Sequence, residues 1–352
     1  MKIKNKILGH GKPTFFIADI AANHDGKLDR AIDLIKMCAE AGADAAKFQH
    51  FKAETIVSDL GFKKLGGQKS HQKNWKKTVY DTYKDASLNM DWTSKLKKEC
   101  DKQNIIFFTS PYDLNIIDEL DQFIPAYKIG SGDITYLEII KKIASKNKPY
   151  LLATGAANVE DVDRAVSSAI KINKDLLLMQ CNTNYTASLE NFKFINLKVI
   201  NFFKKKYPDL LIGLSDHTPG HSTVLGAVAL GACAIEKHFT DDNNRNGPDH
   251  PFSMNPKTWK EMVQRTRELE KSLGTEKKEV EANELETVVL QRRSIRASHD
   301  LNTGHKLSEK DLIMLRPCPK EGIAPYESIK VLNRKLKKDI KRGDIIKWSD
   351  LV

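Results

Sequence analysis

Two histidines occupy equivalent places in consecutive segments of the chain. The segment 213–249 is predicted as strand, helix and strand, with apolar runs at 210–214 and 232–235 that His217 and His238 follow. Parallel strands joined by a crossover helix end at one edge of a sheet, where such folds carry their chemistry. A lone histidine there is more often packed or hydrogen-bonded. Two of them, as neutral imidazoles, predict a shared metal cation.

Two lysines in predicted strands indicate an anion site at the same edge. Lys47 and Lys128 lie in apolar strand segments, where a charged side chain has a desolvation cost and rarely serves packing. Ser110 and Ser131 follow neighbouring strand ends, and Gln49 shares a strand face with Lys47. This set favours phosphate as the ligand. Lysines that only extend to solvent at a barrel rim are the alternative.

Strands and helices alternate along most of the chain. Eight of each, over roughly 270 residues, predict a (β/α)₈ barrel, a TIM barrel in the α/β class. A doubly wound sheet is the alternative, but no Gly-rich fingerprint follows the first strand. The long polar segment 52–83 is a lid candidate. The predicted strands are 15–22, 43–48, 105–109, 126–129, 150–153, 176–180, 210–214 and 232–235, and the first would place Asp19, Ala21 and Asn23 on one face.

A small internal repeat lies beyond a charged linker, 275–291. Four residues recur at spacings of four, three and four, which predicts two copies of a short turn followed by a helix start. The barrel therefore takes 1–274 and a separate small module takes 292–352. The repeated residues are Asp300, Gly304, Leu307 and Asp311 in the first copy, and Asp339, Gly343, Ile346 and Asp350 in the second.

Composition excludes several classes of partner. The net charge of +11 comes from 57 Lys and Arg against 46 Asp and Glu, but the lysines are scattered and no nucleic-acid-binding signature accompanies them. The five cysteines show no CxxC pairing, which is typical of proteins whose thiols stay reduced. No run approaches the roughly 18 apolar residues of a membrane span. We therefore expect a cytoplasmic protein with neither a nucleic-acid nor a membrane partner.

A set of motifs across nearly the whole chain resembles the sialic acid synthases. The motifs are IADIAANHDG, AAKFQHF, YKIGSGD, LLATGA, QCNTNYTAS, GLSDHT, IEKHFTDD, GPDH and LRP. That family condenses phosphoenolpyruvate with an open-chain N-acetylated mannose-type sugar to give a nonulosonate such as N-acetylneuraminate. The resemblance implies a TIM barrel joined to an antifreeze-like (SAF) domain, in a domain-swapped homodimer.

The same resemblance implies roles for individual residues. His217 and His238 would hold Mn²⁺ or Mg²⁺, and the lysines and serines above would hold the phosphate. Thr154 and Asn182 match positions near the carboxylate end of phosphoenolpyruvate. Residues that match sugar-facing positions are Gln49, Tyr185 and Asp249, and Arg316 matches an arginine that reaches the partner subunit's site and binds the N-acetyl group.

Two departures from the family pattern concern carboxylates. Asp19 and Asp133 stand where the family usually has Glu, each one methylene shorter. One of these groups would handle water or a proton, so the shortening puts both roles in question.

Several readings stay open. The sugar could be N-acetylmannosamine or a diacetamido-trideoxy hexose that leads to legionaminate or pseudaminate. A metal-dependent barrel hydrolase is the alternative from another class, but Asn23-His24 does not supply its usual ligand pair, and both strand lysines go unexplained. A catalytically silent carbohydrate-binding protein would leave the metal and phosphate groups unexplained together.

Overall fold

The computed structural model describes residues 1–66, 68, 72–73 and 75–352, and two compact units divide them at Gly274 and Thr275. The first unit holds eight strands in one parallel sheet. They are β1 (Phe15–Asp19), β2 (Ala45–His50), β3 (Ile106–Pro111), β4 (Tyr127–Ile129), β5 (Tyr150–Ala153), β6 (Leu176–Cys181), β7 (Leu211–Asp216) and β8 (Ala234–His238).

The sheet forms a near-closed (β/α)₈ barrel. Its order is β3-β2-β1-β8-β7-β6-β5-β4, and the terminal strands β3 and β4 contact each other. The predicted fold class is confirmed. The helices of this unit are α1 (Leu28–Glu40), α2 (Ala53–Ile56), α3 (Asp59–Lys64), α4 (Val79–Ala86), α5 (Thr93–Lys102), α6 (Ile117–Asp121), α7 (Leu137–Ala144), α8 (Val159–Ile170), α9 (Val199–Lys206), α10 (Ser222–Ala229) and α11 (Pro256–Leu273).

Side chains alternate between two apolar layers. In β1, Phe15 and Ile17 belong to the barrel interior, whereas Phe16 and Ala18 pack in the layer between strands and helices. An N-terminal hairpin adds Ile3 to the interior layer. This alternation decides which residues at each strand end face inward.

Several predicted strands end one to three residues from their observed ends, and two predicted elements also change type along their length. The first strand stops at Asp19, and a 3₁₀ helix, Ala21–His24, follows with Ala21 at a φ of 46°. The predicted common face of Asp19, Ala21 and Asn23 is therefore wrong, because period-two alternation ends with the strand. The sequence also predicts a single helix over 192–207, but the structure has a 3₁₀ helix, Leu189–Phe194, and then α9.

The predicted lid 52–83 contains α2, α3 and most of α4. Five of its positions, 67, 69–71 and 74, lie outside the described residues.

The second unit contains the predicted repeat. It holds α12 (Leu285–Gln291), the antiparallel strands β9 (Ser294–Ala297) and β10 (Leu312–Leu315), and α13 (Ser328–Val331). Gly304 and Gly343 both adopt left-handed φ values, 81° and 85°, that favour glycine, and Leu307 and Ile346 are both buried.

The two copies of the repeat also bind each other reciprocally. Asp300 accepts the backbone N–H of Arg342, at 2.8 Å, and Asp339 accepts that of Thr303, at 2.7 Å. Each copy therefore completes the turn of the other. Among the described residues of the whole chain, no helix has the length and apolar character that crossing a bilayer requires.

Candidate active site

A cavity of about 420 Å³ lies at the carboxyl ends of the barrel strands. It collects most of the predicted site residues because the interior-facing position at each strand end points into it. Those that line it are Asp19, Lys47, Gln49, Lys128, Ser131, Asp133, Tyr185, His217, His238 and Asp249.

Asp19 and Lys47 form a buried ion pair at the ends of β1 and β2. They are register partners, and the Lys47 Nζ donates to Asp19 Oδ2 at 2.6 Å. Gln49 Nε2 donates to the same oxygen at 3.0 Å, and Ser110 Oγ lies 3.4 Å from the Lys47 Nζ. Burial opposes ionisation of Asp19, but the neighbouring Lys47 ammonium outweighs it, and the net effect lowers the pKa of Asp19. The pair is therefore charged.

Lys128 pairs with Glu236, a carboxylate that the sequence reasoning did not assign. The Lys128 Nζ donates to Glu236 Oε1 at 2.8 Å, and Ser215 Oγ donates to the same oxygen at 3.0 Å. Lys47 Nζ lies 3.8 Å from Glu236 Oε2. Glu236 is 4% exposed, so it is a shared counter-ion that holds both lysine side chains in the cavity.

The Gly130–Asp133 turn forms another wall. The backbone N–H of Gly155 donates to Ser131 Oγ at 2.9 Å. A Cβ on Gly130 would lie 2.6 Å from the Tyr112 hydroxyl, so this close approach requires glycine. Asp133 Oδ2 is buried and makes no hydrogen bond within the described residues. Burial raises the pKa of Asp133 to about 6, which suits proton transfer near neutral pH.

The two histidines lie side by side in the cavity, at the ends of the paired strands β7 and β8, with ring centroids 5.4 Å apart and ring planes at 53°. His217 Nδ1 lies 2.9 Å from the carbonyl oxygen of Asn182. Because a carbonyl only accepts, this nitrogen carries the proton and Nε2 keeps a free lone pair. Burial and the nearby His238 lower the pKa of His217 to about 3, so its ring is neutral. Tyr185 packs edge-on against the His217 ring, at 4.3 Å.

His238 adds donor atoms that suit a cation. Its Nδ1 is buried and makes no hydrogen bond within the described residues, and its Nε2 lies 3.6 Å from Asp19 Oδ2. Asp249 Oδ2 lies 3.7 Å from the Nδ1. Within the described ranges, no group of three or more His, Cys, Asp or Glu side chains is arranged to hold a metal ion by itself. Two imidazoles at this spacing nevertheless fit a divalent cation that takes its other ligands from outside the protein.

The lid segment supplies an aromatic part of the wall. Tyr83 and Trp75 line the cavity, with ring centroids 6.4 Å apart, and Phe51 lies 5.4 Å from Tyr83. Ile56 and Ala86 extend the same surface. These residues add an aromatic and apolar surface to the cavity lining.

Comparison with known proteins decides the family. The NeuB family model matches residues 34–278, and a SAF domain model matches 292–352. The chain belongs to the NeuB family. Two relatives come from Campylobacter jejuni. The N,N'-diacetyllegionaminic acid synthase is 35% identical, and the match covers 96% of this chain and 99% of the relative. The pseudaminic acid synthase is 34% identical, and the match covers 96% of this chain and 97% of the relative.

A solved structure agrees with this assignment. The N-acetylneuraminic acid (sialic acid) synthetase from Leptospira borgpetersenii is 30% identical and superposes with a TM-score of 0.72. The match covers 82% of this chain and 94% of that one. The resemblance first drawn from the motifs is therefore confirmed, together with the C-terminal SAF domain.

Four residues predicted for the site of this NeuB-family chain do not line the main cavity. Ser110 is buried beneath it, beside Lys47. Thr154 Oγ1 donates to the Met179 carbonyl at 2.9 Å, and both Thr154 and Asn182 line a neighbouring cavity of about 510 Å³. Arg316 belongs to the second unit.

Strand alternation explains the place of Thr154 and Asn182. In β6 the interior positions are Leu177, Met179 and Cys181, so Asn182 comes one residue out of phase with them. The same rule could have found Glu236, because it lies two residues before His238 on one strand. Ending that strand at residue 235 concealed it. Tyr112 and Tyr83 carry no comparable signal in the sequence.

Proposed function

We propose that this protein is a nonulosonate synthase that condenses phosphoenolpyruvate with the open-chain aldehyde of a 2-acetamido sugar. The observation that carries the proposal is that one cavity contains two buried lysines and two neighbouring imidazoles. The names of the relatives and of the solved neighbour support the same reaction class.

The lysine side of the cavity would bind the phosphate of phosphoenolpyruvate. Lys47 and Lys128 are held by Asp19 and Glu236 before any ligand arrives, so little side-chain freedom is lost on binding. Ser131 adds a hydroxyl from the adjacent turn. Charge-assisted hydrogen bonds of this kind are the strong ones in phosphate recognition.

The imidazole side would hold the metal. His217 and His238 fit Mn²⁺ or Mg²⁺, and the bound cation would supply Lewis acidity toward the sugar aldehyde. Gln49 and Tyr185 lie on the same wall and would orient the sugar. Asp249 Oδ2 accepts the backbone N–H of Ala22, at 3.1 Å, which fixes its carboxylate at the cavity wall.

The bonds that form and break in this reaction define the roles of the remaining residues. The C3 carbon of phosphoenolpyruvate forms a bond to the aldehyde carbon, whose oxygen takes a proton. Water adds to the C2 carbon, which lost its C2=C3 π electrons to the new bond, and the C2–O bond to phosphate then breaks as C2 becomes the keto carbon. Of the two protons of that water, one ends on the former aldehyde oxygen and the other leaves with inorganic phosphate. Asp133, with its pKa near 6, would accept the proton from that water. Asp19 would remain ionised as the partner of Lys47.

The apolar wall bears on which sugar is used. Relatives named for legionaminic and pseudaminic acid are 35% and 34% identical, so identity alone does not choose between products. Phe51, Trp75 and Tyr83 favour a sugar with apolar substituents. We therefore favour a diacetamido-trideoxy hexose, with its methyl group and second acetamido group, over N-acetylmannosamine.

The active form would be a domain-swapped homodimer. In this proposal the SAF module of one subunit brings Arg316 to the sugar site of the other. The connection 275–291, which contains α12, supplies a long charged tether between the two units. Without the partner, the sugar would lack its contact to the N-acetyl group.

A phosphate-release assay tests the proposal. Purified protein with Mn²⁺ and phosphoenolpyruvate should release inorganic phosphate only when a 2-acetamido hexose is added, and mass spectrometry should detect the nine-carbon keto acid. A panel of N-acetylmannosamine and diacetamido-trideoxy hexoses ranks the substrates by kcat/KM. Release that is independent of sugar, or no release with any member of the panel, would contradict it.

A further inference from the structure

A buried ion pair lies on the outer face of the two strands that carry the histidines. Asp216 and Lys237 are register partners across β7 and β8, and their side chains are each 1% exposed. The residues that precede them on the two strands, Ser215 and Glu236, point inward and line the cavity. The strand pair therefore presents one polar couple to the cavity and another to the helix layer.

Hydrogen bonds extend this outer pair into a closed network. The Lys237 ammonium donates to the Asp216 carboxylate and, at 2.6 Å, to the carbonyl oxygen of Thr218. Asp216 also accepts from the hydroxyls of Thr218 and Thr223, each at 2.8 Å. Thr223 lies in the first turn of α10, so the network joins β8, the end of β7, the following loop and the helix.

The network encloses the histidine positions along the backbone. His217 lies between Asp216 and Thr218, and both of these flanking residues are bonded to Lys237 of β8. His238 directly follows Lys237 in β8. A displacement of either histidine backbone relative to the other would have to break bonds of this network.

Stability alone does not account for the ion pair. Two residues earlier on each strand, Leu214 and Ile235 occupy the same outer face and belong to the apolar layer between strands and helices. Apolar residues at positions 216 and 237 would continue that layer. Replacement of buried ion pairs by apolar residues is often neutral or stabilising, because burial desolvates both charges.

We propose that the Asp216–Lys237 pair positions His217 and His238 for one shared cation, an inference that rests on the proposed function of the cavity. Both are positioning residues, since they act through the backbone and do not reach the cavity. The pair fixes how far apart the two imidazoles are held, and outer groups that orient metal ligands commonly control metal affinity.

The test uses the full-length double variant Asp216→Asn, Lys237→Met. It removes both charges together, so no lone buried charge remains, and the Asn oxygen can still accept from Thr223. Binding of Mn²⁺ alone is followed by electron paramagnetic resonance. We expect the double variant to bind Mn²⁺ about 10- to 100-fold more weakly, with phosphoenolpyruvate affinity within about twofold, as for contacts outside the cavity.

A matched control removes a different buried hydroxyl. Thr266 is buried in α11, where its hydroxyl donates to the Met262 carbonyl at 2.8 Å and takes no part in the Asp216–Lys237 network. Thr266→Val should leave Mn²⁺ affinity at the wild-type value. An equal loss of affinity in this control would show that general loosening of the fold, rather than positioning, is responsible.

A second readout needs no metal. Long-range ¹H–¹⁵N NMR of the imidazoles should show His217 in wild type as one tautomer, protonated at Nδ1 by its bond to the Asn182 carbonyl. The double variant should show averaging of the two tautomers. If it does not fold, Thr223→Val, which removes one bond of the network, should show the same averaging to a smaller extent.

The outcomes separate the two proposals. A folded double variant that keeps its Mn²⁺ affinity within twofold and a single His217 tautomer would overturn the positioning role. Wild-type protein that binds no Mn²⁺, or that binds it equally well after His217→Ala, would instead overturn the cation site of the proposed function. The tautomer readout would still judge the positioning role in that case.

Discussion

Removal of the Lys128 ammonium tests the charge arrangement of the cavity most directly. Lys128 and Glu236 are 2% and 4% exposed, with 2.8 Å between Nζ and Oε1. Lys128→Met leaves Glu236 buried, and among the residues that the structure describes only Lys47, at 3.8 Å, then remains as its cation partner. Removing one member of a buried pair costs about 3–5 kcal/mol of unfolding free energy. For a unit of this size, that lowers the melting temperature by roughly 6–20 °C.

A second substitution separates stability from binding. The double variant Lys128→Met, Glu236→Gln removes the orphaned carboxylate charge, and the Gln oxygen can still accept from Ser215. We expect it to regain most of the lost stability. It still lacks the phosphate-binding cation, a contact of about 1.5–3 kcal/mol, so phosphoenolpyruvate should bind about 10- to 150-fold more weakly.

Thermal unfolding and equilibrium binding of phosphoenolpyruvate measure the two effects. The KM of the sugar should change much less than that of phosphoenolpyruvate. Lys142→Met is the matched control, because Lys142 pairs with Asp118 on the surface and its loss should cost less than about 1 kcal/mol. Wild-type affinity in the double variant would refute the phosphate site. A double variant as unstable as the single one would refute the ion-pair reasoning.

Three further predictions concern the proton carrier, the cation ligands and the partner subunit. Burial raises the pKa of Asp133 from 3.8 to about 6, so the stability that its neutral carboxyl contributes is intact below about pH 4 and lost as the pH rises through 6. Asp133→Asn should flatten this pH dependence in thermal unfolding, and should lower kcat about 10²- to 10⁴-fold while abolishing the rise in rate near pH 6; an unchanged pH–rate profile would contradict the role. His217→Ala and His238→Ala should each abolish Mn²⁺-dependent turnover while the circular dichroism spectrum stays that of wild type, and wild-type turnover at limiting Mn²⁺ would remove that residue from the ligand set. Co-expressed His238→Ala and Arg316→Ala chains should regain activity in purified heterodimers, because one of the two sites then holds both groups; inactive heterodimers would show that Arg316 does not serve a partner.

Much of the barrel could be predicted from the sequence because its signals are local. Apolar runs separated by amphipathic helices mark each strand, and polar residues mark the strand ends. His217, His238, Lys47 and Lys128 were predicted in this way, and all four line the cavity. The strand boundaries differ more, and ending the last strand at residue 235 instead of His238 left Glu236 unassigned.

The remaining features depend on three-dimensional packing. Alternation predicts the inward face only while a strand continues, so it fails for Asn23 once the chain turns into a 3₁₀ helix. The aromatic wall brings Phe51 and Tyr83 together from segments far apart in sequence, and no local pattern marks that contact. The motif resemblance places Thr154 and Asn182 near the carboxylate end of phosphoenolpyruvate, which stays a prediction, and both residues line the neighbouring cavity.

The reciprocal bonds of the C-terminal repeat have a consequence for cooperativity. Asp300 completes the turn of the second copy and Asp339 completes that of the first, while Leu301 and Ile340 bridge the two. Neither copy retains its full set of backbone hydrogen bonds once the other unfolds. The module therefore opens as a whole rather than by halves, and Arg316, in the chain between the two copies, is presented either by the complete domain or not at all.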